Sequence, residues 1–188
     1  MSESLAVEYD SRAETLEHIA RVRELLHIVQ SKLEERGLAH DQSKLGPNEK
    51  PIFDKVTPRL KGLTYGSEEY KASLAELGPA LQHHYEHNSH HPEHYQKQVC
   101  IICFKEYPAN YNERCNACMN GYMVAEPNVA GMSLLDVIEM LCDWKAAGER
   151  HANGSMERSL EHNKTRFKIG EQLQSILENT ARELGWTK

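Results

Sequence analysis

The sequence predicts an all-α fold with one short interruption. Apolar residues recur at three- and four-residue spacing over most of the chain, no segment alternates convincingly with period two, and Ser or Gly-Pro punctuation separates the periodic runs. The interruption spans 96–126, where helical periodicity stops and four cysteines appear. At 188 residues the chain suits a single domain over 1–188 with a small insertion inside it.

The first helix is expected from Ser11, because Ser11-Arg12-Ala13-Glu14 reads as a capping box. Leu16, Ile19, Val22, Leu26, Val29 and Leu33 then follow at helical spacing until Gly37. His18 shares one edge of that stripe with Val22, Leu25 and Val29, so it is expected to face inward. A short helical piece from Leu38 to Leu45 ends at Gly46-Pro47, and Pro51 and Pro58 are expected to divide the stretch from Asn48 to about Leu60. Ser67 caps a run through Tyr70, Leu74 and Leu77. Gly78-Pro79 ends it, and Pro79 opens a helix bearing Leu81, His83, His84 and Tyr85. Ser133 with Asp136 forms a second capping box before an apolar run through Leu134, Leu135, Ile138, Leu141 and Trp144. Cys142, alone in that run, reads as core. Two more helices are expected near 156–166 and 170–184.

Composition narrows the function classes. Charged residues at 27% and a mean hydropathy of −0.66 describe a water-soluble chain. No apolar run approaches the roughly 20 residues of a spanning helix, and MSESLAVEYD lacks the basic and apolar regions of a secretory leader. The expectation is a cytoplasmic protein without a membrane partner. A net charge of −6, with no basic stripe to offset it, makes nucleic acid an unfavourable partner.

Within the interruption, Cys100, Cys103, Cys115 and Cys118 form two CxxC knuckles separated by eleven residues. Such spacing brings four thiolates within reach of one tetrahedral zinc, and the polar, short segment between them has little else to hold its shape. Two disulfides or four unrelated thiols are the competing readings; the paired spacing and the reducing compartment favour a structural zinc. A closed four-cysteine site leaves no position for water or substrate, so the insertion is read as a rigid lid or contact surface.

Of eleven histidines, six lie between His83 and His94. A solvated loop or a surface chelating tract would explain the density alone, but Leu74, Leu77, Leu81 and His84 share one helical face, which directs His84 inward. A buried imidazole needs a partner, and a metal supplies one. His84 and His91 are the first candidates as ligands, ahead of His83, His87, His90 and His94. Upstream, His40 and Asp41 are adjacent, and neighbouring helix positions diverge by about 100°. Both reach one metal only at a helix end, or serve two metals with the carboxylate between them. Lys44, one turn on, reads either as an ordinary surface charge or as an ammonium placed to meet a phosphate oxygen. Asp136 and Asp143 lie two turns apart on nearly one face. Asp136 is committed to the cap, whereas Asp143, mid-helix among apolar residues, gains most from a metal.

The order lone His, His-Asp, His cluster, Asp resembles the HD superfamily of metal-dependent phosphohydrolases. HDQSK is similar to the HDxGK of its cyclic-dinucleotide phosphodiesterase branch, and HHYEHN to that branch's HHExxD. Taken together, AHDQSK, PIFDKVTPRLKGLTYGSEEY, HHYEHNSHHPEHY and LLDVIEMLCDWKAA resemble a family of bacterial and phage proteins of unassigned function, over nearly the whole chain outside the cysteine insertion. The resemblance implies an HD-type helical bundle, a metal on His18, His40, Asp41 and Asp143, and hydrolysis of phosphate esters, commonly nucleotides. Tyr85 and Asn88 stand where the phosphodiesterase branch has acidic residues, and no GYP follows. Lys44 stands where the nucleotidase branch has a glutamate.

The expected activity is therefore a metal-dependent phosphohydrolase acting on a nucleotide or related small phosphate ester. Its ligands are His18, His40, Asp41, His84, His91 and Asp143 around one or two divalent ions, with Mn, Fe, Co, Ni or Zn all suited to mixed nitrogen and oxygen donors. Asp41 and Lys44 are the candidate catalytic residues, and Lys44, His94 and Lys145 the candidate substrate contacts. The alternative is a non-enzymatic, zinc-stabilised helical scaffold or adaptor. Oligomerisation is open.

Overall fold

Helix caps and apolar stripes account for most of the architecture. The computed structural model describes residues 9–60, 62–63, 67–151 and 154–187, so the first eight residues, part of the segment read above for a leader, lie outside it. Among the described residues are seven α-helices: α1 (Arg12–Ala39), α2 (Lys50–Leu60), α3 (Glu68–Ala75), α4 (Gly78–His87), α5 (Leu134–Glu149), α6 (Met156–Arg166) and α7 (Glu171–Glu183). Three short strands, β1 (Gln96–Cys100), β2 (Glu106–Pro108) and β3 (Met123–Pro127), fall within or at the edge of the expected insertion. The chain is mostly helical, and none of the described helices is long and apolar enough to cross a membrane. It divides into two compact units, residues 1–39 and 40–188.

The first unit is α1. Asp10 Oδ1 accepts from the Arg12 amide at 3.0 Å, so the side-chain acceptor at this helix start is Asp10 rather than Ser11. Gly37 does not end the helix, since one glycine costs only about 1 kcal/mol against a long helix. No residue of α1 is buried. Leu16, Ile19, Val22, Leu26 and Val29 are exposed, as is His18, so the inward face expected for this stripe is not found there.

In the second unit α2 is continuous, contrary to the expected division. Pro51 occupies its first turn, where a missing N–H leaves no bond unmade, and Pro58 lies in its last turn. Ser67 caps α3 by accepting from the Tyr70 amide, and Pro79 sits in the first turn of α4. Ser133 and Asp136 close the expected capping box on α5.

Helix α5 organises this unit because it has two working faces. Val137, Met140, Leu141 and Trp144, at i, i+3, i+4 and i+7, pack against Met156 and Leu160 of α6, Phe167, Ile169, and Leu177 and Ala181 of α7. Trp144 and Phe167 stack with centroids 6.0 Å apart. Burying each large side chain of this cluster contributes roughly 1.5–3 kcal/mol. The neighbouring face carries Asp136, Glu139 and Asp143 at i, i+3 and i+7, so the packing that fixes α5 also fixes three carboxylates. Leu134 and Cys142 lie outside both faces and are exposed, which corrects the reading of Cys142 as core.

The strands form one antiparallel sheet in the order β2-β1-β3. Its register pairs Gln98 with Tyr107 on one side and with Ala125 on the other. Cys100 ends β1, the central strand, opposite Met123, so the first knuckle begins where that strand stops.

Candidate metal centre

Three local features bring distant residues together. Asp41 adopts the left-handed conformation (φ 57°), which a short polar side chain tolerates better than most, and a 3-10 turn, Gln42–Leu45, starts immediately after it. His40 and Asp41 thus lie in a turn rather than a regular helix, so the divergence of adjacent helical side chains does not apply. Asn88 ends α4 in an extended conformation, and its Nδ2 donates to the His84 carbonyl at 2.7 Å, turning the chain into the loop that carries His90 and His91. That loop is tied to α5 through Asp136, which accepts from Ser89 Oγ at 2.6 Å and from Tyr95 Oη at 3.0 Å.

The histidine nitrogens are sorted by these contacts. His40 Nδ1 donates to Glu139 Oε1 at 2.8 Å, and His90 Nδ1 lies 3.0 Å from the same oxygen. His84 Nδ1 donates to Glu49 Oε2 at 2.9 Å. A carboxylate only accepts, so each of these rings carries a proton on Nδ1 and turns Nε2 toward Asp41. His84 Nε2 and His90 Nε2 lie 3.3 and 3.7 Å from Asp41 Oδ1, while His40 Nε2 lies 3.6 Å from Asp41 Oδ2 and 3.7 Å from Asp143 Oδ1. His84 Nε2 and His91 Nε2 approach to 2.9 Å. Two of the atoms at this convergence, Asp41 Oδ1 and His90 Nε2, are buried with no hydrogen-bond partner among the described residues.

Electrostatics follow the same division. Hydrogen bonding to Asp143, then to Glu139, pushes the His40 pKa up to about 10. Burial, reinforced by the Lys44 ammonium, lowers His84 to about 4, and burial followed by the His90 charge drives His91 down as well. Burial raises the Asp41 carboxyl, but Lys44 together with His84 and His40 outweighs it and holds the group below the ordinary carboxylate value. Two lone-pair-bearing imidazoles and an ionised carboxylate are the forms a divalent cation requires.

Three overlapping donor groups result, two of them sharing Asp41, while the third, His40, His90 and Glu139, joins one histidine from each of those two. His40, Asp41 and Asp143 form one of the pair; Asp41, His84, His90 and His91 form the other; within each group, the donor atoms lie within 4.8 Å of one another. Asp41 is common to both, with one carboxylate oxygen toward each. Either group could hold a metal ion, and the orphaned Asp41 and His90 atoms are the places where burial without one is most costly.

Of the residues singled out from sequence, His40, Asp41, His84, His91 and Asp143 converge here. His18 lies on α1 in the first unit and belongs to neither donor group. Lys44 Nζ donates to Asp41 Oδ2 at 2.5 Å and sits 5.4 Å from the Phe53 ring centroid. His94 is exposed and donates to the Tyr85 carbonyl, Lys145 pairs with Glu149, and neither is among the residues of the donor groups. His83 and His87 stack at 3.9 Å outside the centre. Two contributors, Glu139 and Glu49, are not singled out by the sequence, and a third is ranked low. His90 was ranked behind His91, and nothing in the spacing of adjacent histidines separates them. Glu139 stands one turn before Asp143, an i, i+4 relation that could have revealed it. Glu49, fully buried, had no sequence signal.

The four cysteines of the insertion form a separate group that could hold a metal. Sγ–Sγ separations are 3.6 Å for Cys100 and Cys118 and 3.4 Å for Cys103 and Cys115. The amides of Ile102 and Cys103 donate to Cys100 Sγ. Tyr107 Oη approaches Cys115 Sγ at 3.1 Å and lowers that thiol to about 5.

Comparison with known proteins bears on identity rather than chemistry. The model of a family of unknown function, DUF5662, matches residues 7–183. No curated protein and no solved structure gives a significant match.

Proposed function

The chain belongs to the DUF5662 family, whose function is unknown, and we propose from the site that it is an HD-type metal-dependent phosphohydrolase acting on a nucleotide or related small phosphate ester. The observation that carries this reading is the pair of orphaned atoms, Asp41 Oδ1 and His90 Nε2, at the junction of two donor groups that share Asp41. His40, Asp41 and Asp143 would hold one divalent ion and Asp41, His84, His90 and His91 a second, drawn from Mn, Fe, Co, Ni or Zn. Bound there, such ions would supply Lewis acidity and a water nucleophile near neutral pH.

The chain's own residues do the rest. His40, Asp41 and Asp143 provide only three donors, which leaves positions for water and substrate, as a catalytic site needs. Lys44, about one-third exposed, is anchored on Asp41 yet reaches solvent, where its ammonium can neutralise a phosphate oxygen as charge develops. Glu139 and Glu49 hold the imidazole rings so that no reorganisation is needed on binding. The four cysteines, with amide donors on Cys100, fit a closed structural zinc that keeps the insertion folded. Free thiols throughout the described residues fit a reducing compartment, and we place the protein in the cytoplasm.

The scaffold alternative rests on the other group, since four protein donors from Asp41, His84, His90 and His91 would also satisfy a closed structural ion. Turnover separates the two. Metal-stripped protein is assayed for phosphate and nucleoside release from nucleoside mono-, di- and triphosphates and a generic phosphodiester, with each metal added back. The proposal expects metal-dependent release, lost in Asp41→Ala and reduced roughly 10²-fold in Lys44→Ala, the size of effect seen when one charge-stabilising donor is removed. Full turnover in Asp41→Ala would refute the site, and silence with every metal despite tight binding would establish the scaffold.

A further inference from the structure

We propose that Glu49 and Glu139 divide control of the centre unequally: Glu139 positions a histidine in each donor group, and Glu49 positions one group alone. This rests on the two-metal reading above.

A single oxygen, Glu139 Oε1, accepts from His40 Nδ1 at 2.8 Å and pairs with His90 Nδ1 at 3.0 Å. His40 belongs to the group with Asp143, and His90 to the group with His84 and His91. Their rings lie against each other with centroids 4.4 Å apart, so rotation of either would disturb the other. Because Glu139 stands one turn before Asp143 on α5, the positioning carboxylate and a ligand carboxylate move as one rigid element. Displacing Glu139 therefore loosens both groups.

Glu49 is arranged differently. It is fully buried just before α2, where its carbonyl accepts from the amides of Ile52 and Phe53. Its Oε2 takes the His84 Nδ1 proton at 2.9 Å and its Oε1 takes that of His83 at 2.7 Å. His83 belongs to neither donor group, and its other nitrogen meets Asn48 Nδ2 at 3.0 Å. His83 and Asn48 thus brace Glu49, and Glu49 braces His84. Among the described residues this series of contacts makes no direct contact with His40 or Asp143 and meets their group only through His84 at the shared Asp41. Carboxylates behind metal-bound imidazoles fix the tautomer and raise donor strength, and losing one typically weakens metal binding 10- to 100-fold.

The test is a titration of stripped protein with Mn²⁺, following heat and the free-ion EPR signal, with Co²⁺ visible absorption as a report on geometry. Wild type is expected to take two equivalents at the histidine centre. Glu139→Ala weakens both, each about 10- to 100-fold, while Glu49→Ala weakens one and leaves the other, with its Co²⁺ band, as in wild type. Glu139→Gln and Glu49→Gln, which keep shape and an acceptor oxygen, show the same pattern at smaller amplitude and serve where alanine prevents folding. The proposal is overturned if the Glu139 variants weaken a single equivalent, if the Glu49 variants weaken both alike, or if none of them weakens either. Fewer than two equivalents in wild type would instead remove the two-metal premise, whatever the phosphohydrolase assay shows.

Discussion

Asp136 shows how one residue can matter to the site without touching it. Its carboxylate accepts from the Ser133 amide at 2.8 Å and hydroxyl at 2.7 Å, and from Ser89 and Tyr95 in the histidine loop. Burial alone would raise its pKa, but these donors, Ser89 first, carry it far below the ordinary carboxylate value. A folded-state pKa depressed in this way contributes stability that is present above the unfolded value, about 3.9, and is lost as pH falls toward the folded value. Asp136→Asn is accordingly expected to cost roughly 2–3 kcal/mol at neutral pH, the scale of hydrogen bonds to a buried charge. The deficit should shrink progressively as pH falls below about 5, and it continues to shrink below pH 3 until the folded value is reached. Denaturant melts of both proteins across that range would test this, and a difference independent of pH would contradict it. The sequence disclosed this cap because Ser133-x-x-Asp136 is a local pattern, but not the two loop hydroxyls, which come from more than 40 positions away.

At the level of elements, what could be read from sequence depended on how local the cause is. Helices α3, α4 and α5 begin where Ser67, Pro79 and Ser133 predict, because capping involves neighbours in the chain. Pro51 misled because a proline in a first turn is harmless, and sequence alone did not place that turn. His40 and Asp41 misled in a more useful way. Helical geometry left open whether both could serve one site, and the left-handed turn at Asp41 resolves it. The cysteine insertion was legible from spacing, yet one of its constraints was not. A Cβ on Gly121 would stand 2.0 Å from Cys100 Sγ and 3.3 Å from Cys118 Sγ, and the Gly121 carbonyl accepts from the Cys115 amide. Gly121→Ala should therefore expel zinc from the insertion while the histidine centre keeps its metal. Zinc content after competition with a chelator measures this, and retention at wild-type strength would contradict the packing argument.

For the whole molecule, the candidate chemistry resides in residues 40–188, where α5 carries the apolar core on one face and the carboxylates of the centre on the next. His18, placed among the ligands by the family pattern, lies on α1 in the other unit and is not one of the residues in the donor groups described here. The order of His, Asp and Cys was legible because metal ligation leaves a residue-type signature. The supporting carboxylates Glu49 and Glu139 were not singled out, since a glutamate bound to an imidazole reads in sequence like one on a surface. The account depends above all on Asp41 serving both groups, and elemental analysis of wild type and Asp41→Ala, each stripped and reloaded with Mn²⁺ and zinc, tests that most directly. Wild type should hold two manganese and one zinc per chain, and Asp41→Ala should lose both manganese ions while keeping the zinc. Retention of both manganese ions in Asp41→Ala would show that the centre is not built around this carboxylate.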